Sequence, residues 1–343
     1  MGWTSTAPAS APNMAEAGNR PVVFSTHALH PAATAKLAEA ADLRIASALD
    51  AATLVAESRD AAAIVVRANL PEIIFSDAPQ LRAAVRHGAG LDMIPIEAAT
   101  AAGVLVANVP AANARSVAEH VVFVTMALLR RFRMIDRDLR AGGWFAGRSH
   151  AESTNELAGR RIGIVGFGAV GRQVATIARA GFGLKVAVNS RSRPGDLAAD
   201  IGFMEIDALV AWCDVLVLCC PLTPETRGMI DARRLGLMKP GALIVNVARG
   251  PVIDDEALVA ALRAGRIGGA ALDVFATQPL PPDDPYLGFD NVLITPHMAG
   301  ITEESMMRMG VGAADEVLRV LAGELPVNLR NPEAVQLYRK RFG

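Results

Sequence analysis

Aromatic residues are scarce, at 5% of the chain, with two tyrosines and three tryptophans. Grooves for single-stranded nucleic acid stack bases on aromatic rings among basic side chains. Neither surplus is present: 34 Lys and Arg stand against 35 Asp and Glu, a net charge of −1. Without a basic stripe, the composition argues against nucleic acid as a partner. Cysteine is scarce too. Cys213, Cys219 and Cys220 fall around one apolar run. They are too few and too close for a disulfide framework, and lack the CxxC spacing of a zinc site. They read as small core residues of a reducing compartment. No stretch reaches the roughly 18 continuous apolar residues that a membrane span needs. Residues Met1 to Arg20 are rich in Ala, Ser and Pro but lack the basic start and apolar core of a secretory signal. They read as a disordered leader, with Met14 as an alternative start, and the protein is expected in the cytoplasm with no membrane partner.

What is abundant is apolar material, 52% of 343 residues, enough for two buried cores. From Pro21 to Pro110 short apolar runs alternate with helical patterns. Strands are expected at Val22–Phe24, Ala63–Val66 and Val104–Val106, with helices at His30–Ala41 and Gln80–Val85. A nearly all-apolar helix follows, about Ser116 to Arg131, and a helix apolar all round is buried between domains or subunits. Met134 to Glu156, with Trp144, reads as a loop or arm. A second alternation starts at Arg161, with strands at Arg161–Val165, Leu184–Val188, Asp214–Leu218, Leu243–Val247, Ala270–Asp273 and Val292–Thr295. A helix from Glu303 to Leu321 and an irregular tail close the chain. Such alternation favours parallel sheets. The fold class expected is α/β, with two Rossmann-like, doubly wound domains. One domain, residues 113–297, is inserted within the other, residues 21–112 and 298–343.

The second alternation opens with Ile162-Gly163-Ile164-Val165-Gly166-Phe167-Gly168-Ala169-Val170-Gly171, a strand running into GxGxxG and then a helix. Gly166 makes the tight turn, Gly168 lets the backbone approach a pyrophosphate, and Gly171 lets helix and strand pack closely. The helix N-terminus then offers its unpaired N–H groups to the phosphates. This points to a dinucleotide, and the next strand speaks to which one. NAD sites usually carry an acidic residue about 20 residues past the glycines. Here Asn189-Ser190-Arg191-Ser192-Arg193 stands instead. Arg191 and the hydroxyls attract a 2′-phosphate that a carboxylate would repel. NADP(H) is the expected cofactor, with NAD(H) also accommodated.

Three polar residues end buried strands of the same unit: Arg249 in Asn246-Val247-Ala248-Arg249-Gly250, Asp273 after Ala270-Ala271-Leu272, and His297 in Thr295-Pro296-His297. Open α/β sheets place ligands at the C-terminal ends of their strands. Arginine's planar fork matches a carboxylate, and a histidine exchanges protons near neutral pH.

On these segments the chain resembles the D-isomer-specific 2-hydroxyacid dehydrogenases. The matching residues run from about Arg86 to Asn331 and include Gly88-Ala89-Gly90-Leu91-Asp92, Ser116-Val117-Ala118-Glu119 and Cys220-Pro221-Leu222-Thr223-Pro224-Glu225-Thr226. The resemblance implies a hydride exchange between the cofactor and C2 of a small 2-keto or 2-hydroxy acid. Arg249 and the backbone of Ala89 and Gly90 would hold the carboxylate, and His297 would be the acid/base. Asp273 would contact the nicotinamide amide. Cofactor contacts are also implied for Gly166, Phe167, Gly168, Ala169, Val170, Asn189, Ser190, Arg191, Cys220, Pro221, Thr226, Val247, Ala248, His297 and Gly300. The discontinuous domain would bind substrate, and the region around Trp144 would form a homodimer.

One position departs from the family. A Glu usually follows the Asp equivalent to Asp273 by five residues and pairs with the histidine; here it is Gln278. A carboxylate favours imidazolium, whereas an amide offers only a neutral hydrogen bond. Formate dehydrogenases also use Gln there. The leading expectation is therefore a glyoxylate/hydroxypyruvate reductase, with a formate- or phosphite-type dehydrogenase as alternative. A third reading is a non-catalytic, dinucleotide-sensing relative of the corepressors that share this fold.

Overall fold

A computed structural model of the chain describes residues 20–343; the expected leader, but for Arg20, lies outside the described residues. Among these, the chain divides into two units. One runs up to Ala112 and resumes at Met306–Gly343; the other is Asn113–Ser305.

The first unit is a five-stranded parallel sheet: β1 Val22–Ser25, β2 Asp42–Ile45, β3 Ala61–Val66, β4 Ala83–Arg86 and β5 Leu105–Ala107. The order β2-β1-β3-β4-β5 is the flavodoxin-like one. The second is a seven-stranded parallel sheet. Its strands are β6 Arg161–Val165, β7 Lys185–Asn189, β8 Gly202–Phe203, β9 Val215–Leu218, β10 Leu243–Asn246, β11 Gly269–Leu272 and β12 Val292–Ile294. They order as β12-β11-β10-β9-β6-β7-β8. The chain leaves β6 toward β7 on one side and later returns to β9 on the other, the switch point where doubly wound sheets bind dinucleotides.

These strands read as continuous apolar runs because both faces of a parallel sheet are covered. In β9, Leu216 and Leu218 enter one core with Ile244 and Leu272, while Val215 and Val217 enter the opposite core with Ile164 and Val188. Strand periodicity of two sends neighbours to opposite faces. The first sheet is also covered on both faces, around Val65 and Val85 on one side and Ile64 and Ile74 on the other.

The helices in chain order are α1 Pro31–Ala38, α2 Ala51–Ser58, α3 Ile74–Asp77, α4 Ile96–Ala101, α5 Ala114–Leu129, α6 Phe132–Gly142, α7 Trp144–Arg148, α8 Ala169–Phe182, α9 Ile206–Trp212, α10 Ala232–Leu237, α11 Asp255–Arg263, α12 Glu303–Leu321 and α13 Val335–Phe342. Three expectations need correction. Residues 80–85 are not helical: Ala83–Arg86 is strand β4, because its small and β-branched side chains fill a slot between β3 and β5. The arm around Trp144 is not a loop but α6 and α7, which pack on each other so closely that a Cβ on Gly147 would sit 2.9 Å from Leu139. The tail is not irregular, since α13 buries Tyr338 against the first sheet. Within this single chain α5 sends Ala118, Val121 and Val124 into the second unit's core and leaves Phe123 62% exposed. No described helix is long and apolar enough to cross a membrane.

Candidate active site

The turn after β6 is shaped by what cannot fit. Gly166 has φ +93°, and a Cβ there would lie 2.7 Å from the Cys220 backbone. A Cβ on Gly171 would come within 2.2 Å of the Gly166 carbonyl oxygen, so α8 can press against the loop only as glycine. Gly168 is different: a Cβ there would meet nothing within 4 Å, and Gly168 caps α8 with no side-chain bond to the helix. Ala169 and Val170 are the first residues of α8. An open glycine at an uncapped helix start is a cradle that a pyrophosphate fills. The residues present therefore fit a dinucleotide. Phe167 lies beneath the Arg172 guanidinium, 4.7 Å from its ring centre, and Arg172 pairs with Asp196 through two bonds of 2.7 and 2.9 Å. The Cys219 thiol donates to the Gly166 carbonyl at 3.1 Å, bracing the loop from below.

Asn189 ends β7, where the usual acidic residue would stand. Its amide donates to the Met204 carbonyl at 2.9 Å, and Ser190 donates to the Ser192 carbonyl at 2.8 Å. Both shape the turn, whereas Arg191 is exposed beyond it. Across the rim, Cys220 is buried and Pro221 exposed, and the Thr226 hydroxyl locks their turn by donating to the Pro221 carbonyl at 2.8 Å. Burial pushes the Cys220 thiol up to about 11 and the Cys213 thiol up to about 12, so both stay protonated near neutral pH. All three cysteines are free.

Arg249 follows β10 in a turn fixed by Asn246. The Ala248 amide donates to Asn246 Oδ1 at 3.0 Å, and Asn246 Nδ2 donates to the Arg249 carbonyl at 3.1 Å. Val247 and Ala248 form that turn. Gly250 comes next, and a Cβ there would collide with the Phe275 backbone at 2.0 Å. The absent side chain thus lets Arg249's turn lie against Phe275–Ala276, the segment that leads to Gln278. Arg249 itself is half-buried and donates to the Ala248 carbonyl at 2.6 Å.

His297 stands on an exposed turn beyond β12, at φ +54°, a left-handed conformation uncommon outside glycine. Its Nδ1 lies 3.0 Å from Gln278 Oε1. Gln278 Nε2 donates to the Phe275 carbonyl at 3.3 Å, which fixes the amide's orientation. Oε1 can only accept, so Nδ1 carries the proton of the neutral ring. The Gln278–Pro279 peptide is cis. The turn is clamped from behind by Asp273, which is 3% exposed. Its carbonyl accepts the His297 amide at 2.8 Å. Its Oδ1 accepts the Thr295 hydroxyl at 2.6 Å and the Met298 amide at 2.8 Å; its Oδ2 accepts the Ala299 amide at 2.9 Å. Asp273 is thus first a holder of the histidine turn. Gly300 serves packing: a Cβ there would lie 2.5 Å from the Asn113 amide. Asn246, Gly250 and Thr295 are absent from the expected site. Asn246 and Gly250 were legible as neighbours of Arg249, but nothing local marks Thr295 as a partner of Asp273.

In the first unit, Ala89 and Gly90 follow β4, again at the C-terminal end of a parallel strand. Gly88 has φ +132°, and the Ala89 carbonyl is held by Asn108 Nδ2 at 2.6 Å. Just before them, His87 is buried at the sheet end. Burial first, and then the charges of Arg67 and Arg86, push its pKa down to about 4.

A doubly wound sheet with a phosphate-fitting glycine turn at its switch point, an arginine after β10 and a paired histidine after β12, defines a nicotinamide-dependent oxidoreductase. Comparison with known proteins narrows the class. Residues 122–299 match the family described as D-isomer specific 2-hydroxyacid dehydrogenase, NAD binding domain. A glyoxylate reductase of Aeropyrum pernix is 35% identical over 94% of this chain and 99% of its own length. A D-3-phosphoglycerate dehydrogenase of Methanocaldococcus jannaschii is 36% identical over 90% of this chain, which spans only 59% of that longer protein. The NADPH-dependent glyoxylate/hydroxypyruvate reductase of Sinorhizobium meliloti, crystallised with NADP and malonate, superposes with a TM-score of 0.80 at 27% identity, covering 92% of this chain and 98% of that one. The chain belongs to the D-isomer-specific 2-hydroxyacid dehydrogenase family.

Proposed function

We propose that this chain reduces a small 2-keto acid, glyoxylate or hydroxypyruvate first among them, at C2 with NADPH. The observation that carries the reading is the His297–Gln278 pair, because it orients a histidine for proton exchange at the same end of the sheet as Arg249, with β11 between their strands. The similarity to the Aeropyrum glyoxylate reductase and the Sinorhizobium glyoxylate/hydroxypyruvate reductase supports the substrate. The dinucleotide, when bound, supplies the hydride. The chain's own residues do the rest. The glycine turn and the start of α8 hold the pyrophosphate. Arg249 holds the substrate carboxylate and stabilises the charge that develops on the keto oxygen. His297 gives that oxygen its Nε2 proton. Ala89 and Gly90 are proposed as further carboxylate contacts, with the first unit as the substrate-binding one and the second as the dinucleotide-binding one.

Preference for NADPH is supported by Arg191 and by the lack of an acidic residue at Asn189. A homodimer is supported by the aromatic surface of α5, α6 and α7, where Phe132, Trp144 and Phe145 are 59%, 67% and 84% exposed. Exposed apolar clusters of that kind mark contact sites. A monomer by light scattering at micromolar concentration would contradict it. The free thiols support a cytoplasmic location, which cell fractionation checks.

The deciding experiment is cofactor oxidation against a panel of 2-keto acids, with formate and phosphite offered in the oxidative direction. Glyoxylate or hydroxypyruvate turned over fastest supports the proposal. Formate or phosphite turnover alone would replace it with the second reading, which the neutral Gln278 beside His297 favours. No turnover at all, with tight dinucleotide binding, would leave a sensor.

A further inference from the structure

The turn that carries His297 is held from one side by a stripe of α5. Asn113 caps the helix, and its amide is the group that a Cβ on Gly300 would strike at 2.5 Å. Ser116 and Thr302 share a hydroxyl–hydroxyl bond of 3.1 Å. His120 Nε2 lies 3.4 Å from the Thr295 hydroxyl. Positions 113, 116 and 120 are spaced by three and four residues, so they lie on one helical face. The last contact has a forced polarity. A hydroxyl has one proton, and the carboxylate of Asp273 can only accept, so the Thr295 proton is committed to Asp273 at 2.6 Å. Thr295 must then accept from His120, which fixes that ring as the tautomer with hydrogen on Nε2. Burial lowers the pKa of His120, opposed by the Asp273 charge, so the donor is the neutral ring. A relay results: His120 orients Thr295, Thr295 orients Asp273, and Asp273 gathers the Met298 and Ala299 amides just past His297.

We propose that His120 is a positioning residue for His297, acting through the Thr295 hydroxyl and the Asp273 carboxylate to hold the left-handed turn on which His297 stands. This rests on the reading of His297 as the acid/base. His120 touches neither substrate nor cofactor in this role. It determines where Nε2 of His297 stands, and displacements of about 1 Å in such geometry cost up to roughly a hundredfold in rate.

The test compares His120→Leu, which fills the space without a donor, with His120→Gln, which keeps an N–H. His120→Leu is expected to lower kcat for keto-acid reduction by about ten- to a hundredfold while the KM for NADPH stays within about twofold, as expected when only groups acting in the transition state are displaced. His120→Gln is expected to recover most of the loss. Thr295→Val should reproduce the loss and Thr295→Ser should not, which keeps the test open if His120→Leu does not fold. Combining His120→Leu with Thr295→Val should cost little more than either alone, since both break one chain. Equal activity of the Leu variant and the parent, equal losses in Leu and Gln, or additive losses in the double variant would each overturn the proposal. Imidazole NMR separates this from failure of the functional reading. The His297 Nδ1–H signal, sheltered by Gln278, should broaden or shift in His120→Leu and persist in His120→Gln, whether or not any keto acid is turned over. If it is indifferent to His120, positioning is wrong; if it responds but no variant reduces a keto acid, the functional reading is wrong and the positioning stands.

Discussion

Two turns of the second unit are built by opposite means. The turn after β6 is defined by missing atoms: Gly166 and Gly171 leave no room for a Cβ, and Gly168 leaves an opening. The turn after β12 is defined by added contacts, with Gln278, Asp273 and Thr295 converging on a histidine in a left-handed conformation. In the first the sequence spacing of the glycines marks the turn, although the Cys220 backbone that bars a Cβ at Gly166 is distant in sequence. In the second the holders Gln278 and Asp273 lie 19 and 24 positions before His297 and are marked by no spacing. The first should tolerate no added volume at Gly166 or Gly171; the second should tolerate any substitution that preserves donors and acceptors.

The largest effect should come from the polar turn. His297→Ala is expected to lower kcat for reduction by about 10²–10⁴-fold with dinucleotide affinity nearly unchanged, measured by stopped-flow turnover and fluorescence titration. Full activity would remove His297 from the chemistry. The glycine turn should then split in two. Gly171→Ala forces a Cβ against a fixed carbonyl, and overpacking of this kind costs about 1–3 kcal/mol, visible in thermal unfolding without any ligand. Gly168→Ala should leave the unliganded protein's Tm where it was and weaken NADPH binding. Equal Tm losses in both variants would show that the opening is structural and not a ligand cradle.

Smaller is the cofactor rim. Arg191→Ala should weaken NADPH by about tenfold, the worth of one charge-assisted bond, with NADH little changed; equal losses for both would sink the 2′-phosphate argument. The smallest effect tests the polar turn at its neutral partner. If His297 is the proton donor proposed above, reduction requires it protonated and activity is expected to fall toward alkaline pH. Gln278→Glu adds a negative charge that favours imidazolium, and the alkaline limb of kcat/KM should move upward; no movement would make Gln278 structural only. The acid limb is unsuitable for this reading. His87 has its folded pKa lowered from 6.5 to about 4. The unfolded chain therefore takes up a proton that the folded chain refuses, and stability drops as pH falls from 6.5 toward 4.

How much of this was legible follows the same division. The glycines and the strand before them could be read locally, because the GxGxxG spacing and the apolar run that precedes it are contiguous in sequence. That both sheets are parallel followed from the alternation of elements; the strand order itself did not. Arg249, Asp273 and His297 could be found as polar residues ending apolar runs, and the resemblance supplied their roles. Asp273's grip on the histidine turn and the part of His120 were hidden, because a hydrogen bond between β11 and the β12 turn, or between α5 and Thr295, leaves no periodic trace. The same blindness misread residues 80–85. Gln80-Leu81-Arg82-Ala83-Ala84-Val85 has the composition of a helix, and only the gap between β3 and β5 makes its second half a strand. The helical arm was missed because its charged and glycine-rich sequence buries none of α6.

The left-handed backbone at His297 has a consequence for how such a chain changes over generations. Holding a side chain there works against stability by about 1–2 kcal/mol, where glycine would sit at ease. A lineage that no longer used the imidazole would relieve that backbone cost by exchanging it for glycine, at the loss of the hydrogen bond to Gln278. Strained residues persist where the strain serves a purpose. A histidine in this conformation is thus a mark of use, and it weighs against a protein that merely senses its dinucleotide.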